Sequence, residues 1–212
     1  SQAVSSEISD WIRKKTKDVL KVDNLTIDKD WRSYVVNALY FKGAWAEKFD
    51  SKNTKPEDFT GVTCNRKVPM MHNYDNYNYC EYGGFEAIEL PYGNGDYVMT
   101  VMISKSEDRL SPEVMSGIVS AMKKEYVSLG FPKFETETDI SEFPISSVKF
   151  DSFRHVAKIN VDEEGTEAAA VTIIGDATAA PQEPKELVFN QPFYYVITQK
   201  TTGIILFVGY YC

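Results

Sequence analysis

Residues 161–172 read Val161-Asp162-Glu163-Glu164-Gly165-Thr166-Glu167-Ala168-Ala169-Ala170-Val171-Thr172. In an extended strand alternate side chains point to opposite faces. Thr166, Ala168, Ala170 and Thr172 then share one face, and all are small, while Glu167 lies on the other face, where water can hold its charge. A segment of this kind could slide between two existing strands, because its inward side chains need little room. Gly165, just ahead of it, allows hinge dihedrals that larger residues resist. Alanine is also the best helix former, so the same residues alone also read as a solvent loop or the start of a short helix.

Around this stretch the texture of the chain changes. Residues 163–184 hold Ala, Thr, Gly and Pro with no lysine or arginine. Upstream, Ile8, Trp11, Ile12, Val19 and Leu20 recur at helical spacing, with Glu7 and Asp10 early and Lys14, Lys15 and Lys17 late, as a helix dipole favours. Trp31 to Trp45 is rich in aromatic and β-branched residues and reads as a strand covered on both faces. Polar connections are expected next, then strands over Phe85–Leu90 and Tyr97–Ile103 joined by the turn chemistry of Pro91 to Asp96. Ser111 and Pro112 read as the N-cap and first position of a helix whose apolar stripe is Val114, Met115, Ile118, Val119 and Met122. Val127–Phe134 and Val148–Val161 read as further strands. Leu187–Thr198 and Gly203–Tyr211 read as a closing hairpin. The fold class expected is α+β, dominated by antiparallel strands, in a single domain over 1–212.

With a net charge of −8, the chain lacks the basic surface that phosphate attraction requires, so nucleic acid is not an expected partner. No apolar run reaches membrane-spanning length, and Ser1–Asp10 is polar and does not read as a secretory signal. Asn24-Leu25-Thr26 is a glycosylation sequon. The three cysteines, Cys64, Cys80 and Cys212, have neither disulfide-framework nor metal-ligand spacing and are expected to be unpaired thiols.

Catalytic chemistry finds little support. His72 and His155 are the only histidines, no Gly-x-Ser-x-Gly elbow is present, and the paired glycines lack the lysine of a phosphate loop. Structural or surface roles are expected for both histidines. No enzyme activity, cofactor or metal is expected.

Further blocks stand in a telling order. Asn37-Ala38-Leu39-Tyr40-Phe41-Lys42-Gly43-Ala44-Trp45, Val68-Pro69-Met70-Met71, Leu90-Pro91-Tyr92, Phe131-Pro132-Lys133-Phe134, Phe189-Asn190-Gln191-Pro192-Phe193 and Ile205-Leu206-Phe207-Val208-Gly209 each resemble blocks of the serpins, protease inhibitors, in the family's order. The segment Glu163 to Thr172 resembles the hinge of their reactive-centre loop. The resemblance begins at Ile8, in the middle of that fold. The family's N-terminal helices and first main-sheet strands have no counterpart, and Ser141–Ser147 is too short for the helix and loop expected after Asp139. A truncated product, splice form or incomplete gene model is the expectation.

The resemblance implies a serpin-like fold and a suicide-substrate inhibitor of a serine protease, monomeric if folded. A loop over about 163–186 is cleaved and inserted as a new central strand before deacylation is complete. A dozen new backbone hydrogen bonds at about 1 kcal/mol each would release on the order of 10 kcal/mol. The implied hinge is Glu163, Glu164, Gly165, Thr166, Glu167, Ala168, Ala169 and Ala170, and Asn37 and Trp45 are the implied sheet-top residues. Counting from Gly165 places the reactive bond at Ala179-Ala180, with Thr178-Ala179 or, disfavoured by the proline after it, Ala180-Pro181 if the register differs by one. A small alanine suits an elastase-like or broad-specificity protease with a shallow pocket. By alternation Asp176 would face inward with Thr166 and Ile174 on insertion, where an unpaired carboxylate is costly. The other reading is a non-inhibitory binding or storage protein, or an inactive truncated product. The compartment is left open, with the extracellular side favoured over the cytoplasm.

Overall fold

The computed structural model describes residues 2–20, 22, 27, 30–31, 33–106, 109–140, 152–165 and 183–212. In chain order these form α1 (Gln2–Lys15), β1 (Tyr34–Tyr40), a 3-10 turn (Ser51–Asn53), β2 (Lys55–Thr60), β3 (Asn65–Tyr82), β4 (Phe85–Tyr92), β5 (Tyr97–Ser104) and α2 (Pro112–Ala121). They continue with β6 (Lys123–Pro132), β7 (Phe134–Ile140), β8 (Ser152–Val161), β9 (Lys185–Val188), β10 (Phe193–Gln199) and β11 (Ile205–Tyr211). The chain divides into two compact units, residues 1–42 with 135–160, and 43–134 with 161–212.

In the first unit β1, β8 and β7 form a three-stranded sheet in that order. β1 and β8 pair in parallel over seven positions, from Tyr34 opposite Ser152 to Tyr40 opposite Lys158. Ile12, Leu20, Val22 and Val156 make the buried core here, with Ile8, Tyr34, Val36 and Ala38 packed against it. Two expectations need correction. Trp11 is half-exposed while Ile12 is buried, because Ile8 and Ile12 share a helix face that Trp11, about 100° round from Ile12, does not. The strand expected over Trp31–Trp45 is only Tyr34–Tyr40, half-buried rather than covered on both faces, as suits its place at a sheet edge.

The second unit is an eight-stranded sheet in the order β11-β10-β5-β4-β3-β6-β9, with β2 alongside β3. The β4–β5 hairpin matches its turn signal: Gly95 has φ +87° and donates to the Tyr92 carbonyl at 2.7 Å. The Ser111 hydroxyl caps α2 by accepting from the Val114 amide at 3.3 Å. α2 covers Cys80, Phe85, Ala87, Met102 and Val196 with Ile118. A second layer of rings, Phe131, Phe134, Phe189, Phe193 and Tyr211, meets at centroid distances from 4.8 to 5.9 Å, edge-on or tilted as ring quadrupoles favour.

Three further differences concern strands. The region expected as polar connection holds β2 and the 18-residue β3. The expected strand Val127–Phe134 is two, β6 and β7, meeting at Pro132 and Lys133. The expected strand Leu187–Thr198 is also two: β9 runs parallel to β6, and β10 pairs antiparallel with β5 and β11. Pro192, with no N–H to give a ladder, separates them, and the Asn190 carbonyl between them accepts from Thr60 at 2.8 Å.

Candidate functional site

The hinge sequence enters a fixed turn. Asp162 and Gly165 exchange backbone hydrogen bonds at 3.3 and 3.2 Å, and the Asp162 carboxylate accepts from the Glu164 amide at 2.9 Å, the local bonding that suits aspartate to turns. Gly165 has φ +106°, a region side chains resist. A Cβ there would lie 2.3 Å from the Trp45 nitrogen and 2.7 Å from the Gly43 oxygen. The position requires glycine on both counts.

Three consecutive carbonyls of this turn are captured by one neighbouring segment. The Trp45 indole Nε1 donates to the Asp162 carbonyl at 2.9 Å. The Phe49 amide donates to Glu163 at 3.0 Å, and the Trp45 amide to Glu164 at 3.1 Å. Trp45 can hold them because it is itself fixed: it is buried, stacked on Tyr92 at 4.4 Å, and edge-on to Phe49 and Phe131 at 6.4 and 6.5 Å. The Ala46 amide on Pro91 and the Gly93 amide on Ala44, each at 2.8 Å, tie its backbone to the β4–β5 turn.

The side chains of the turn add an ionic lock. Glu163 Oε2 accepts from Lys133 Nζ at 2.6 Å and Oε1 from Thr54 Oγ1 at 2.7 Å, with the carboxylate side chain only 13% exposed. Burial pushes this carboxyl up, but the bonds from Lys133 and Thr54 outweigh it and hold its pKa below the usual range. Glu164 pairs with Lys48.

In the first unit Asn37 lies in the middle of β1, not at its end. Its Nδ2 is 3.1 Å from Nδ1 of His155, the residue opposite it on β8. Arg154 holds Asp139 through two bonds of 2.9 and 2.5 Å, and that bidentate contact, opposed by burial, keeps the Asp139 carboxyl below its usual range. His72 Nε2 is 2.7 Å from Glu57.

Among the residues singled out from sequence, the structure brings Glu163, Glu164, Gly165 and Trp45 together. Thr166, Glu167, Ala168, Ala169 and Ala170, the reactive-bond candidates Thr178, Ala179 and Ala180, and the sequon asparagine Asn24 lie outside the described residues. Sequence reading gave no role to Lys133, Tyr92, Thr54 or Lys48. The first two stood inside blocks quoted for the resemblance; the others carried no local signal.

A family model described as Serpin (serine protease inhibitor) matches residues 1–143 and 136–212. An uncharacterized serpin-like protein of Methanosarcina mazei is 30% identical, with 95% of this chain and 55% of that protein aligned. Human Serpin B4 is also 30% identical, over 96% of this chain and 62% of its own length. Among solved structures, the native state of the thermophilic serpin tengpin superposes with a TM-score of 0.83 at 22% identity, covering 99% of this chain and 63% of that one. Thyroxine-binding globulin, solved with thyroxine, gives 0.81 at 20% identity over 99% of this chain and 64% of its own. The chain thus spans less than two thirds of the length of these relatives. With the family model covering both units, the chain belongs to the serpin family.

Proposed function

We propose that this chain carries the loop-presenting and strand-accepting part of a suicide-substrate inhibitor of serine proteases. The observation that supports it best is the direct parallel pairing of β1 and β8 over seven positions. β8 leads into the Asp162–Gly165 turn, whose bridge is antiparallel. A strand formed by the residues after Gly165 would therefore return opposite in direction to β8, and to β1 as well. Its entry would replace one parallel ladder with two antiparallel ones, the more stable pairing per residue. Each added backbone bond contributes about 1 kcal/mol. The small face of Thr166, Ala168, Ala170 and Thr172 suits that entry.

In this reading the protease serine attacks the Ala179 carbonyl, the Ala180 nitrogen departs as the amine, and the acyl bond is carried away by insertion before water can cleave it. The chain's own contribution is stored folding free energy; it supplies no catalytic group. The absence of lysine and arginine between Glu163 and Pro184 favours an elastase-like or broad-specificity target.

The test is incubation of the protein with an elastase, followed by electrophoresis in denaturant. A covalent complex is expected in which alkaline hydrolysis breaks the ester between the protease serine and Ala179, while the fragment beginning at Ala180 separates in denaturant. Cleavage with neither a trapped complex nor a rise in Tm would sink the inhibitory reading. That outcome would favour a carrier role, which the likeness to a thyroxine-binding protein brings into view.

A further inference from the structure

Cys64 closes the Gly61–Cys64 turn between β2 and β3, where the Gly61 amide donates to the Cys64 carbonyl at 3.1 Å. Cys212 directly follows β11. Both cysteines are exposed, whereas Cys80 is buried. Arg66 joins the two exposed positions. Its Nη2 donates to the main-chain oxygen of Cys212 at 2.8 Å. Its guanidinium lies 4.7 Å from the Phe59 ring centre and 5.2 Å from that of Tyr211, and those rings meet edge-on at 5.1 Å. The Tyr211 side chain foremost, and the Cys64 side chain to a lesser degree, raise the guanidinium's pKa against the opposing effect of burial.

The backbone approach is close. A Cβ built on Gly61 would lie 2.5 Å from the Cys64 oxygen, 3.0 Å from Arg66 Nη1 and 3.7 Å from the carbonyl carbon of Cys212. The Cys64 oxygen and the Cys212 carbonyl carbon thus lie at most about 6 Å apart, so the two cysteines are neighbours where the β2–β3 turn meets the end of β11.

We propose that Cys64 and Cys212 form a disulfide that pins the end of β11 to the β2–β3 turn. The oxidant is a small-molecule disulfide such as oxidised glutathione. One protein thiolate displaces a glutathione thiol to give a mixed disulfide. The second thiolate then displaces the other, so two S–H bonds are lost, one S–S bond forms and two glutathione thiols leave. Cys80 takes no part. Its thiol faces the Ile118 carbonyl at 3.5 Å beneath α2, and burial, with Glu89 and Glu81, pushes its pKa up, which keeps it in the unreactive protonated form. The structure bears out the expectation of three unpaired thiols; oxidation would leave one inert thiol and one bridge.

The experiment is oxidation of the purified full chain with oxidised glutathione, alkylation, and peptide mapping without reductant. A peptide joining the Cys64 and Cys212 segments is expected, with Cys80 alone alkylated after unfolding. A protease nick between residues 166 and 182 should then leave one band on an unreduced denaturing gel and two on a reduced gel. Cys64→Ser should give two bands under both conditions; Cys80→Ser should behave like the parent. Separate glutathione adducts on Cys64 and Cys212, or linkage only between two chains, would overturn the proposal.

Discussion

Lys133 Nζ and Glu163 Oε2 lie 2.6 Å apart, joining the residue between β6 and β7 to the Asp162–Gly165 turn. With the Glu163 side chain 13% exposed, replacing it by Lys would set two ammonium groups together in a poorly hydrated place. Removing one partner of such a pair costs roughly 3–5 kcal/mol when burial is complete, and somewhat less here. Glu163→Lys is expected to lower Tm by several degrees, and the double variant Glu163→Lys/Lys133→Glu to regain part of it. Thermal unfolding of the four proteins measures the coupling; no regain would mean the pair contributes little.

The same carboxylate sets a pH dependence. Its folded pKa lies below its unfolded one, so unfolding binds a proton where the two differ. The stabilisation is complete above the ordinary glutamate pKa of about 4.3 and is lost as pH falls through the folded value. Urea midpoints measured from neutral pH downward should show the parent and Glu163→Gln converging in acid. Asp139, held low by Arg154, should show the same sign in Asp139→Asn.

Gly165→Ala is expected to be costly on two grounds, the positive φ and the contact of 2.3 Å with the Trp45 nitrogen. Backbone strain of this type costs roughly 1–3 kcal/mol, and the clash adds to it or displaces the turn. Faster proteolysis between residues 166 and 182, at unchanged digestion elsewhere, would show that the turn has left Trp45. A variant with the parent's Tm and digestion pattern would show that the close approach is readily relieved.

Trp45→Phe separates stacking from hydrogen bonding. It keeps a ring against Tyr92 and loses the indole bond to Asp162, whose carbonyl keeps only the Gly165 amide, at a cost of about 0.5–1.5 kcal/mol. The loss should fall on the Asp162–Gly165 turn first. Hydrogen exchange at the Glu164 and Gly165 amides is expected to quicken more than at β4 and β5, where exchange should stay slow.

Across β1 and β8, His155→Ala removes the contact with Asn37 Nδ2 and is expected to cost about 1 kcal/mol or less. In the inhibitory reading it should also speed strand entry, since that pair must part first. The rate of complex formation relative to simple cleavage reads this out.

How much of this was written in the sequence varies with range. The β4–β5 turn and the α2 cap were legible because Pro91 to Asp96 and Ser111-Pro112 act on their own neighbours. β3 was not. Its stretch from Asn65 to Tyr82 pairs in turn with β2, β6 and β4, and its buried residues, among them Val68, Met70, Met71, Tyr77, Tyr79 and Cys80, keep no single period. The site divides in the same way. Gly165 and Trp45 stood out as residue types, and the acidic turn stood out by composition. Thr54 and Lys48 did not, since their partners lie 109 and 116 positions away and only the folded chain brings them together.

The order of strands in the larger sheet bears on how the protein is made. β9 closes one edge and β11 the other, with β10 beside β11, and all three come from the last stretch, Lys185–Tyr211. A chain that has not yet reached Lys185 therefore holds only β2 to β6 of this sheet, open at both margins. Pairings of such long sequence separation form slowly, and unpaired edges invite aggregation. Chains stalled before Lys185 are the ones expected to need a chaperone, and the arrival of β9, β10 and β11 is what lets the sheet close.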